Sequence, residues 1–83
     1  MEDLFLQIYI PSISKTFDIK ATKNLKIYEL KTMLFDLLSA EIDSEIFDKS
    51  KAVLSDKESG VILNINLSVE ELRIRNGSSL MLI

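Results

Sequence analysis

Three carboxylates, Asp43, Glu45 and Asp48, fall close together in the stretch EIDSEIFDK. Spaced acids of this kind are what a hard cation such as calcium takes as oxygen ligands. A calcium loop also needs a central glycine for its sharp turn and a closing bidentate glutamate, and neither follows at that spacing. The stretch therefore reads as a solvated acidic loop. Asn76-Gly77-Ser78 matches the acceptor sequon for N-glycosylation. The chain opens Met1-Glu2-Asp3, acidic where a signal peptide would be basic, so with no secretory route the tripeptide reads as a turn. Serines, lysines and aspartates are available as a nucleophile and base, but no spacing sets one beside another. Histidine and cysteine are absent, which removes the commonest general base, the commonest metal ligand and the thiol nucleophile. The expectation is a protein that is not an enzyme, with no catalytic residues, no cofactor and no metal.

Composition narrows the class further. The 83 residues are 47% hydrophobic, with two glycines and one proline, which suits one folded domain over 1–83 rather than a disordered chain. Lysine and arginine number 10 against 13 aspartates and glutamates, a net charge of -3, so no basic footprint for nucleic acid is expected. The longest apolar run, Leu80 to Ile83, is far below the ~20 residues that cross a bilayer. A small cytoplasmic domain without direct membrane insertion is the expectation.

The elements that must position any functional side chain are read from the periodicity. Leu4, Leu6, Ile8 and Ile10 alternate with Phe5, Gln7 and Tyr9, a strand with one buried face. Pro11-Ser12-Ile13-Ser14 breaks it as a hairpin loop, and Lys15 to Ala21 returns with Phe17 and Ile19 inward. From Ile27 to Ser39 the spacing of Ile27, Leu30, Leu34, Leu37 and Leu38 becomes helical, with Asn24 as an upstream turn or cap. Lys31 falls inside the apolar arc and must snorkel or find a partner. Short strands are expected at Lys51–Leu54 and Val61–Ile65. Ser68 and Glu71 have capping-box spacing for a short helical turn, and Asn76-Gly77 turns the chain into a last strand, Ser79–Ile83.

The order ββαββ, helical turn, β resembles the ubiquitin-like β-grasp family over nearly the whole chain. The resemblance rests on LQIYI, on KTFDIKATKNLKIYELKTML, where Lys31 matches a semi-buried lysine common in that family, and on LSVEELRIRNGSSLMLI. It implies an α+β fold: a mixed sheet of about five strands wrapping one α-helix, plus a short 3-10 turn. Within that family the chain resembles the EsaB/YukD group of type VII secretion systems, small cytosolic proteins that end on their last strand. NLKIYEL resembles the start of that group's helix and LRIRNGSSLMLI its closing pattern, with Ser78 where an acid is usual. The resemblance implies an accessory or regulatory role in bacterial secretion.

Ubiquitin-type modifiers and sulfur carriers are activated at a mobile tail ending Gly-Gly, whereas this sequence closes at Ile83 inside a strand pattern. The expectation is a non-conjugating interaction module. The alternatives are a modifier or sulfur carrier whose tail lies beyond Ile83, and a regulatory homodimer unrelated to secretion. Pleat alternation turns Met81, Ile83, Phe5 and Tyr9 outward, and the resemblance implies that the first strand lies beside the last. Ile13 lies where ubiquitin carries an exposed leucine of its binding patch. These five residues are the expected protein-binding patch, a few hundred Å² in extent. The expected partner is a membrane-anchored secretion component or a second copy of the chain.

Overall fold

The computed structural model describes residues 3–40, 48 and 50–83. Strand β1 (Asp3–Ile10) and strand β2 (Lys15–Thr22) form an antiparallel hairpin in register Leu6↔Ile19 and Ile8↔Phe17. A 3-10 turn at Pro11–Ile13 connects them. Pro11 supplies its starting φ, and Ser14 closes it at φ 52 with its N–H donating to the Pro11 carbonyl. Leu6, Ile8 and Ile10 are fully buried, as their alternation requires.

Helix α1 (Ile27–Leu37) buries Ile27, Leu30 and Leu34, and Leu38 continues that stripe past its end. Its first amides are satisfied from elsewhere in the chain: Ile27 N–H donates to the Leu67 carbonyl at 3.0 Å and Tyr28 N–H to that of Ile65 at 3.2 Å. Lys26 N–H donates to Glu29 Oε1 at 3.1 Å. Asn24 belongs to the turn before the helix, and the cap position is Lys26. Lys31 Nζ donates to the Ala52 carbonyl at 3.0 Å, so the semi-buried lysine finds a backbone acceptor rather than a carboxylate.

Strands β3 (Leu54–Asp56) and β4 (Ser79–Leu82) complete a mixed sheet of order β2-β1-β4-β3, with β4 parallel to β1 and antiparallel to β3. The sheet has four strands where the sequence suggested about five. Val61–Ile65 reads as a strand but forms only the bridge Ser55↔Ile62. Asn64 then turns the chain away, its Oδ1 accepting from Asn66 N–H and its carbonyl from Leu67 N–H, so that this segment can reach the start of α1. β3 lies later than the expected Lys51–Leu54, although Val53 and Ile83 exchange both backbone hydrogen bonds, at 2.7 and 2.9 Å.

The capping box forms as spaced: Ser68 N–H donates to Glu71 Oε1 at 3.0 Å and Glu71 N–H to Ser68 Oγ at 3.1 Å. The turn it opens ends in a Schellman pair, Ile74 N–H to the Val69 carbonyl and Arg73 N–H to that of Glu70. Arg73 occupies the left-handed position at φ 58, where glycine is usual. Among the described residues the regular 3-10 element is the one at Pro11–Ile13, not this turn.

Candidate functional site

The outer face of the sheet follows from register. Tyr9 pairs with Met81, Met81 with Ser55, and Ser55 with Ile62, so these four residues form one transverse row. Their inward neighbours Ile8, Leu80, Leu54 and Leu63 are buried. Ser55 is 1% exposed although it faces away from the core, with its Oγ toward the Met81 carbonyl at 3.5 Å. Because Ser55 is covered, the accessible apolar surface of the row is left to Tyr9, Met81 and Ile62. Ile62 stands 63% exposed. Ile83 (46% exposed) and its pairing partner Val53 extend the apolar surface by one row.

Of the patch expected from sequence, Tyr9 and Met81 are brought together as direct neighbours, with Ile83 next along the chain on the same face. Phe5, 58% exposed, shares the face but sits toward the other end of β1. Gln7 lies between, its Oε1 accepting from Ser79 Oγ at 3.3 Å, which makes a polar break. Ile13 packs half-buried against the core from the 3-10 turn. Ile62, Val53 and the buried Ser55 escaped the sequence reading. The one available signal was the second outward position of VIL within a presumed strand, which does not fix the strand beside which it lies.

Charge on this face lies off the row, at Asp18 and Lys20 on β2, at Asp3 on β1 and at Lys57. Lys57 Nζ lies 4.9 Å from the Tyr9 ring centre, a cation–π contact that rims the row with one positive charge. Lys20 is paired with Asp3 at 3.2 Å. No group of three metal-ligating side chains occurs among the described residues. Asp43 and Glu45 lie outside them. Asp48 accepts from Ser50 Oγ at 2.7 Å and Ser50 N–H at 2.9 Å, and these bonds, the hydroxyl first, hold its carboxyl below the usual carboxylate range. Asn76-Gly77-Ser78 is a turn tied to β1: Phe5 N–H donates to Asn76 Oδ1 at 2.8 Å and Gly77 N–H to the Phe5 carbonyl at 2.7 Å, with Gly77 at φ 85. No helix among the described residues is long and apolar enough to cross a membrane.

The arrangement matches solved ubiquitin-like structures. The ubiquitin of Caldiarchaeum subterraneum superposes with a TM-score of 0.77 at 14% identity, over 99% of this chain and 92% of that one. The ubiquitin-like domain of an Arabidopsis thaliana protein gives 0.76 at 17% identity, covering 100% of this chain and 78% of that one. A protein designed on ubiquitin gives 0.74 at 18%, over 98% and 87% of the two chains. No protein-family model matches the chain, and no curated protein matches it. The fold is ubiquitin-like, one helix and a 3-10 turn on a mixed sheet.

Proposed function

We propose that this chain is a non-catalytic, non-conjugating interaction module of the cytoplasm that binds a protein partner through the outer face of its sheet. The observation that carries the reading is the row Tyr9–Met81–Ser55–Ile62, in which Tyr9, Met81 and Ile62 stand around a buried serine and are flanked by Ile83. A partner laid on this row would bury apolar area at ~25 cal/mol per Å², before the costs of association. The similarity of NLKIYEL and LRIRNGSSLMLI to the EsaB/YukD pattern supports a partner in a bacterial type VII secretion machine, a membrane-anchored component or ATPase. The protein would serve that machine as an accessory or regulatory subunit.

The test is affinity capture from lysate with wild type and Met81→Glu side by side. Wild type should recover secretion subunits and the variant should not, while the far-UV circular dichroism and melting temperature of the two stay close. A variant that melts far lower would place Met81 in the core and remove the face from consideration; equal capture by both would do the same. A carrier role remains the competing reading. The N–H and carbonyl of Ile83 are both paired with Val53, so a conjugated carboxylate would need residues beyond it. Reading the gene past Ile83 for Gly-Gly decides between the two, and a light-scattering mass tests the homodimer.

A further inference from the structure

Away from the outer face of the sheet, an open groove of about 430 Å³ runs between the start of β1 and the Schellman turn. Its apolar floor is Leu4 and Ile74, both half-buried against the core. Its rim carries Lys23, Arg73 and Arg75, with Asn76 at one end. Glu70 is the one acid on this rim, and it is engaged by Lys23 at 4.0 Å. The two guanidiniums have no side-chain ion pair or hydrogen bond among the described residues, in a chain of net charge -3. Arg73 also stands at φ 58, where glycine is the usual residue, and its side chain is exposed.

We infer that this groove is a second docking site, for a short acidic peptide segment of a protein partner. An apolar residue of that segment rests on Leu4 and Ile74, and carboxylates to either side take the forks of Arg73 and Arg75. Guanidinium suits this role because its planar donors meet a carboxylate two at a time. The local positive rim on an acidic protein makes the attraction site-specific rather than general.

The probe is an acetylated, amidated peptide alternating aspartate and leucine, with its lysine-for-aspartate counterpart as control, titrated into the 15N-labelled chain. Amide shifts should concentrate at Leu4, Lys23 and residues 73–76, and weaken as salt rises. Arg73→Gly and Arg75→Gln should each weaken binding roughly 2–5-fold, the value of one ion-pair contact at a solvated site. Lys57→Gln, on the sheet face, should leave it unchanged. Arg73→Gly should also melt no lower than wild type, so its loss of affinity cannot be a loss of fold.

Shifts at Tyr9 and Met81 instead, equal binding of the lysine peptide, or undiminished binding by both arginine variants would overturn the assignment. A dimer in light scattering that Arg75→Gln abolishes would also overturn it, by giving the groove to a second copy. Because Met81→Glu leaves this groove intact, acidic-peptide binding by that variant separates failure here from failure of the sheet-face reading.

Discussion

Replacing Lys31 with methionine isolates one hydrogen bond between the helix and the approach to β3. Methionine keeps most of the aliphatic stem and removes the Nζ donor that reaches the Ala52 carbonyl at 3.0 Å. Two effects oppose each other. Losing the ammonium relieves its partial desolvation and some rotamer entropy, but it leaves a carbonyl without this donor in a residue that is only 3% exposed. A bond from a charged donor contributes about 1.5–3 kcal/mol, and a stranded buried acceptor costs about 1–3 kcal/mol. Since the lysine is only part-buried, its desolvation relief is the smaller quantity, and a net loss of about 1–2 kcal/mol is expected. At about 2.1 cal/mol/K per residue for a chain of this size, that lowers the melting temperature by roughly 6–12 °C. The assay is urea unfolding followed by circular dichroism, in which the midpoint should fall with an unchanged slope. Lys31→Ala, which also deletes the stem, should be worse. If Lys31→Met matches or exceeds wild type, the contact contributes nothing and the lysine is merely snorkelled.

Two further predictions concern the core and the cap. Leu80→Ala, at a position 1% exposed and one residue from Met81, should cost about 2–5 kcal/mol in the same assay; a loss no larger than that of Met81→Glu would show that the alternation of β4 is misassigned. For Glu71, hydrogen bonds from Ser68 N–H first and from Lys26 Nζ next hold the carboxyl below its ordinary range in the folded chain. A lowered folded value means its stabilisation is complete above the ordinary carboxylate range and disappears as pH falls through the lowered one. The gap in urea midpoint between wild type and Glu71→Gln should therefore be widest near neutral pH and close on acidification. A gap that widened in acid would contradict the hydrogen-bonding pattern.

Much of the fold was legible because local signals agreed with tertiary ones. The even positions of β1 could bury only on one face, and the helix began at Ile27, where the apolar spacing changed. Ser68 and Glu71 formed the reciprocal bonds that their separation suggested. What failed was non-local. Val61–Ile65 has the composition of a strand, yet its chain is diverted by Asn64 so that the Ile65 and Leu67 carbonyls can receive the first amides of α1. No window of sequence carries that demand, because the donors lie nearly forty residues earlier. The outer face of the sheet was half-read for the same reason: alternation tells which way Tyr9, Met81 and Ile83 point, but only register reveals that Ser55 and Ile62 complete their row and that Gln7 separates Phe5 from it. Arg73 carries no local mark of its left-handed backbone, since that conformation is imposed by the turn around it.

The placement of β4 between β1 and β3 bears on how the molecule is made. Of the four strands, the one at the centre of this sheet that leaves the ribosome last is β4, well after the hairpin and helix. Until it arrives, β1 has one edge of unpaired amides and carbonyls beside an apolar face, and β3 has no neighbour in the sheet. Folding of the sheet thus waits on contacts between residues more than seventy positions apart, a slow kind of closure. During that wait the nascent chain offers other strands the same docking edge that β4 will fill. The hazard lies in synthesis rather than in the finished molecule, where β1 is paired on both sides.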